Sequence, residues 1–267
     1  MSDVRRAAVA GMFYPEAPSA LATEVRSRLA LASSSAASPD VPPKAVIVPH
    51  AGYIYSGEVA AKAYARLAPV RAVVRRVVLF GPAHRVAVRG LALPTATSFA
   101  TPLGRVAVDG EAVAAALRLP QVLASDAAHA FEHSLEVQLP FLQTVLDEFA
   151  IVPFVVGDAA PDEVAEVIDL LWGGPETLIV ISSDLSHYHR YGEARAIDRA
   201  TVDSILALSD SLDHDQACGA TPINGMNRAA RRRGLRPELL DLRNSGDTAG
   251  DRSRVVGYAS IAFTEGA

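Results

Sequence analysis

Cysteine is almost absent from this chain of 267 residues. Cys218 is the only one, so no internal disulfide can form. A disulfide-stapled secreted scaffold and a zinc site made of cysteines alone are therefore excluded. Lysine is nearly absent too. Of 25 basic residues, only Lys44 and Lys62 are lysine and 23 are arginine, which fits a GC-rich bacterial coding bias. The net charge of −5 argues against a protein that binds nucleic acid by neutralising phosphates. No uninterrupted apolar run approaches the ~20 residues of a membrane span. The apolar patch Ala7 to Ala10 stops at Gly11 and Pro15. It is too short for the roughly 7–15-residue apolar region of a signal peptide. These absences lead us to expect a soluble, cytoplasmic protein.

Familiar catalytic patterns are missing as well. The chain has no G-x-S-x-G elbow, no G-x-x-x-x-G-K phosphate loop, no G-x-G-x-x-G fingerprint and no H-E-x-x-H helix. Serine hydrolase, nucleotide-dependent and zincin chemistries lose their main support.

What is present is core-forming sequence. Half of the residues are hydrophobic, and the length suits one large α/β domain over 1–267. Short apolar runs at Val46 to Pro49, Val77 to Phe80, Ile151 to Val156, Leu178 to Ile181 and Val255 to Phe263 read as strands. Fully apolar strands are what a sheet covered on both faces requires. Between them lie helical stretches at Ala20 to Ala32, Ser56 to Ala68, Glu111 to Leu119, Ser134 to Leu146, Asp162 to Trp172 and Glu193 to Leu208. A further helix is expected to start at Thr221-Pro222, with Thr221 as N-cap. Strands alternating with helices predict a central, largely parallel sheet flanked by helices. Leu91 to Val108 has the signals of a small antiparallel addition, and Ala32 to Pro43 those of a surface linker.

Three strand ends carry reactive side chains: His50 after the first run, His84 after the second, and Asp184 and His187 after Leu178 to Ile181. Open α/β sheets bind ligands outside the carboxyl ends of their strands. Cys218 precedes the Thr221-Pro222 helix start, where the helix dipole would favour the metal-binding thiolate. Two imidazoles and a thiolate would form a three-ligand site with open positions. Plainer roles compete: a core histidine, a buried small thiol, and a turn-capping Asp184. His129 reads as a surface residue, and Arg228, Arg231, Arg232 and Arg233 as a solvated face near a helix C-terminus.

Seven segments together resemble one family. They are GMFYP (Gly11 to Pro15), PHAGYIYSG (Pro49 to Gly57), LFGPAH (Leu79 to His84), EHSLEVQLPFL (Glu132 to Leu142), SSDLSHY (Ser182 to Tyr188), CGATPI (Cys218 to Ile223) and GYASIAF (Gly257 to Phe263). The chain is similar to the Memo family, whose bacterial members are called AmmeMemoRadiSam system protein B. The resemblance spans nearly the whole sequence. It implies the fold of the class III extradiol dioxygenases and a metal site formed by His50, His84 and Cys218. It maps Asp184 and His187 beside that site, and His133 as a further residue lining it. The implied metal is Fe(II) or copper. AMMECR1-like and radical SAM proteins are implied partners.

A thiolate in place of the dioxygenase carboxylate shifts metal preference toward softer ions such as Cu(I). Three functions are thus expected to compete. The first is a non-haem iron oxidoreductase in which His187 moves a proton and Asp184 orients it. The second is a non-catalytic protein that binds copper or a peptide, and the third is a metal-dependent hydrolase.

Overall fold

The structure, a computed structural model, describes residues 3–34 and 41–266. Of the expected linker, 35–40 lie outside the described residues. Twelve strands occur among them: β1 (Val4–Arg5), β2 (Ala45–Val48), β3 (Arg76–Pro82), β4 (Leu91–Leu93), β5 (Ser98–Thr101), β6 (Gly104–Val108), β7 (Val122–Ala124), β8 (Ala150–Val156), β9 (Thr177–Ser182), β10 (His187–His189), β11 (Arg236–Asn244) and β12 (Val255–Thr264). The α-helices are α1 (Pro18–Ser34), α2 (Tyr53–Ala65), α3 (Gly110–Ala116), α4 (Asp126–Ala130), α5 (Leu139–Val145), α6 (Pro161–Leu170), α7 (Tyr191–Leu206), α8 (Ala220–Arg233) and α9 (Ser245–Thr248).

All the strands join one sheet, with the main order β1-β5-β6-β8-β3-β9-β2-β12-β10. Its centre, β8-β3-β9-β2, is wholly parallel. Antiparallel pairs lie to either side: β12 with β2, β10 and β11, and the expected β5–β6 hairpin. The fold is therefore α/β, as the alternation of strands and helices required.

Both faces of the centre are covered, which is why its strands are apolar through their middles. Along β3, Val78 and Phe80 point into one apolar cluster while Val77 and Leu79 point into the other. The first cluster is closed by α6, α7 and α8, through side chains such as Ile168, Val202 and Met226. The second is closed by α1, α2 and α5, through Val25, Tyr64 and Phe141. Truncating a fully buried side chain here, as in Ile181→Ala, should cost about 2–5 kcal/mol. Gly225 lets α6 and α8 approach closely, because a Cβ there would meet the Val164 side chain at 2.4 Å.

The register of the sheet sets up the site. Val48 stands opposite Ser182, and Ile181 stands opposite both Ile47 and Phe80. The three strands therefore end level, and the residues just past their ends share one edge.

Four expectations need correction. Gly219, not Thr221, is the N-cap of α8; Thr221 lies inside its first turn. Glycine is demanded there because a Cβ would meet the Ser183 side chain at 2.6 Å. The Ser134 to Leu146 stretch is not one helix but a turn, a short 3-10 segment over Glu136–Gln138 and then α5. His129 is not on the surface: it is 2% exposed on α4, and its Nε2 donates to the Ala92 carbonyl at 2.9 Å. The arginines of α8 are ion-paired rather than merely solvated. Arg228 and Arg232 meet Asp162, Arg231 meets Asp210 and Arg233 meets Asp169.

Candidate metal centre

His50 lies two residues beyond β2 and is buried. Its Nδ1 is 2.9 Å from Ser182 Oγ. That hydroxyl already donates to the Ser134 carbonyl and accepts from Gln138 Nε2 at 2.8 Å. With its single hydrogen committed, Ser182 can only accept from His50. The imidazole therefore carries its proton on Nδ1 and keeps a lone pair on Nε2.

His84, two residues beyond β3, is fixed in the same way. Its Nδ1 is 2.9 Å from Glu132 Oε1. Burial by itself would raise the Glu132 carboxyl, but hydrogen bonds from the His84 side chain and from the Ser134 and His84 N–H groups hold it at about 2. A carboxylate only accepts, so His84 Nδ1 donates, and in the neutral ring the lone pair is on Nε2. Partners of this kind on the second nitrogen are typical of metal-binding histidines, because they set tautomer and ring orientation.

His133 completes the cluster. Its ring stacks on His84 at 4.8 Å and meets His50 edge-on at 5.5 Å. Phe13 packs against it at 4.8 Å. His133 Nδ1 is buried without a hydrogen bond, lying 3.4 Å from Glu132 Oε1 but poorly aligned with it. Nitrogens of His50, His84 and His133 lie within 4.8 Å of one another, the group among the described residues that could hold a metal ion. Burial, and then His84, pushes His50 down to about 3. Burial, and then His50, pushes His133 down to about 4. Both are neutral near pH 7, the form that binds metals.

Cys218 lies beside this cluster. Its Sγ is 3.4 Å from His50 Nε2 and accepts from the Asp184 N–H at 3.3 Å. Burial, and then the Asp184 charge, pushes its thiol up to about 12. Without a metal it is a thiol, so burial overrides the expected effect of the α8 dipole. A bound cation would reverse this by favouring the thiolate.

Asp184 is buried behind the cluster. Its Oδ1 accepts the His50 N–H at 2.7 Å, its Oδ2 is 4.0 Å from His50 Nε2, and burial raises its carboxyl. His187 Nδ1 donates to the Leu185 carbonyl at 2.8 Å, so its Nε2 is free to take a proton. His50, His84, His133, Asp184 and His187 all line one cavity of about 680 Å³. Cys218 lines a second cavity, of about 510 Å³, which shares His84 with the first.

The donor set fits a transition metal, since imidazole lone pairs suit iron, copper and zinc alike. Sequence reading missed the residues that prepare it. Ser182 and Glu132 both sit in quoted motifs, and the signal available was a buried acceptor beside a strand-end histidine. Phe13, Tyr55, Tyr188 and Tyr258, which also line the larger cavity, sit in quoted motifs too but were assigned no role, and Arg254 sits in none.

A sequence profile described as Memo-like protein matches residues 5–262. The chain belongs to this family. A MEMO1 family protein of Aquifex aeolicus is 37% identical over 273 residues, covering 97% of this chain and 99% of the relative. One from Archaeoglobus fulgidus is 36% identical over 277 residues, at 97% and 99% coverage. Another, from Methanosarcina acetivorans, is 38% identical over 285 residues, at 97% and 98%. The crystal structure of uncharacterized protein JW3007 from Escherichia coli K12 shares the fold. Its TM-score is 0.54 at 12% identity, covering 81% of this chain and 98% of that one. The Memo-like match takes in every residue of the histidine cluster together with Cys218. No helix among the described residues is long and apolar enough to cross a membrane.

Proposed function

We propose that this Memo-like chain is a metal-dependent oxidoreductase of dioxygenase-like type, with non-haem Fe(II) as its metal. The supporting observation is that Ser182 and Glu132 fix the His50 and His84 tautomers, so that both Nε2 lone pairs are left for a metal. In this reading His50, His84 and Cys218 hold the ion, and His133 lines the substrate side. Fe(II) would supply one-electron chemistry and open positions for substrate and oxygen. His187 would take or return a substrate proton at Nε2, within the cavity that the imidazoles line. Asp184 would steady His50 through its backbone N–H and keep the local field negative beside the cation.

The test is metal content after purification without air. Near-stoichiometric iron in the wild type, lost in His84→Ala and Cys218→Ala, is the expected result. Iron lost in His133→Ala but retained in Cys218→Ala would make the third ligand an imidazole. No metal in the wild type after reconstitution would sink the reading.

A second reading has one observation in its favour. Cys218 Sγ at 3.4 Å from His50 Nε2 offers a soft ligand suited to Cu(I). The protein would then bind copper, or a peptide in the same groove, without turnover. Tight Cu(I) binding with no metal-dependent oxygen uptake would favour it over the iron oxidoreductase.

A further inference from the structure

Strand β10 does what a regular strand cannot. Successive side chains of a strand point to opposite faces. Yet His187 and Tyr188 both line the 680 Å³ cavity. The pairing explains how: His187 stands opposite Val256 and His189 opposite Val255, so Tyr188 is an extra residue on its strand. It sits at φ 65°, the left-handed region that a side chain with a Cβ disfavours. Bulges re-aim side chains beside binding sites, and strain retained there points to use. The partner strand needs no such device, since its cavity-lining residues Val256 and Tyr258 are two apart.

The re-aimed ring has company. Tyr188 is 64% exposed at the cavity mouth, and the Arg254 guanidinium lies 5.0 Å from its ring centre. Arg254 and Arg85 both line the cavity, and neither guanidinium is ion-paired with a carboxylate among the described residues. Asp251, which lines the same cavity, instead accepts from the Ser253 N–H and hydroxyl and from the Arg254 backbone N–H. The mouth thus presents an aromatic face with two unpaired guanidinium groups.

We propose that the Tyr188 bulge and Arg254 form a recognition lip for a small organic anion with a planar body. The plane packs on the Tyr188 ring, the charge meets Arg254 and Arg85, and the far end of the ligand extends toward His187. This deepens the proposed function by naming the class of ligand, and it rests on that cavity being the substrate side of the metal centre.

Benzoate is the probe, with benzyl alcohol as its neutral counterpart, each titrated into the full chain by NMR. Saturable benzoate binding that moves the His187 ring signals is expected, with benzyl alcohol weaker by about fivefold or more. Arg254→Ala and Tyr188→Ala should each weaken benzoate by about fivefold, while Tyr188→Phe should bind as the wild type does. Arg254 lies on an exposed loop, so its variant tests the lip even if Tyr188→Ala fails to fold. No saturable benzoate binding, equal binding of the alcohol, or full affinity in folded Arg254→Ala would overturn the proposal. Metal content is measured on the same samples. Benzoate failure with metal present removes the lip alone, and absent metal with benzoate bound removes the metal reading alone.

Discussion

Glu132 and Glu136 stand four residues apart in one motif, and both are buried. Glu136 accepts from the Arg5 guanidinium, the Tyr14 hydroxyl, and the N–H groups of Ala8 at 2.7 Å and Val9 at 3.1 Å. Arg5 in turn donates to the carbonyls of Glu132 and His129. Every bond in this network begins and ends in protein, and its product is a latched N-terminal arm. Glu132 is as well satisfied, by the His84 ring and by the N–H groups of His84, His133 and Ser134. The difference lies beyond the donor. Behind Glu136 the Arg5 guanidinium, although Arg5 lines a cavity of about 400 Å³, spends its N–H groups on protein acceptors, whereas behind His84 Nδ1 there is an Nε2 lone pair at the wall of two cavities. Equal burial and equal satisfaction therefore do not imply equal purpose. A closed polar network holds the fold, and an open one holds a reactive atom in place.

The largest expected effect separates the two by stability. Glu136→Gln leaves the Arg5 charge buried without its counter-charge, which costs about 3–5 kcal/mol. Glu132→Gln strands no arginine and should cost about 1–3 kcal/mol. Calorimetric melting reads the gap, at roughly 2–4 °C per kcal/mol for domains of nearly this length. Equal losses in the two variants would break the comparison.

Metal affinity should rank them the other way. Removing the partner of a ligating histidine typically lowers affinity by about 10–100-fold. Glu132→Gln is expected in that range, and Ser182→Ala near its lower end because it frees the His50 Nδ1–H. Folded Glu136→Gln should bind metal as the wild type does. A competitive chelator titration measures all three. If Glu136→Gln lost as much affinity as Glu132→Gln, the closed network would be part of the site.

This contrast also marks what the sequence made legible. Strand ends are easy to read because an apolar run that stops at a turn residue leaves a mark. His50, His84, Asp184 and His187 were found that way, and all four line one cavity. Partners reached across the sheet leave no such mark. Ser182 pairs with His50 over 132 residues of chain, and Glu132 with His84 over 48. His129 misled because α4 is only five residues long, too short to show a period. The thiol state of Cys218 depended on burial, which spacing does not reveal. The two-residue β1 and the bulged β10 are likewise set by their neighbours rather than by their own pattern.

The smallest expected effect bears on the open region alone. At an ordinary exposed strand position such as Arg105 on β6, alanine should be more stable than glycine by about 0.5–1 kcal/mol. At Tyr188 the order should reverse. The left-handed conformation costs a Cβ-bearing residue roughly 1–2 kcal/mol, and glycine's greater freedom in the unfolded chain offsets about 0.5–1 of that relief. Tyr188→Gly should therefore exceed Tyr188→Ala by about 0.5–1 kcal/mol in chemical denaturation. Both variants lose the ring and its contact with Arg254, so the difference isolates the backbone. If alanine is the more stable at both positions, the bulge stores no strain. The bulge would still aim Tyr188 at the cavity, but without stored strain to mark it, and only the ring and the unpaired arginines would speak for an anion at the mouth.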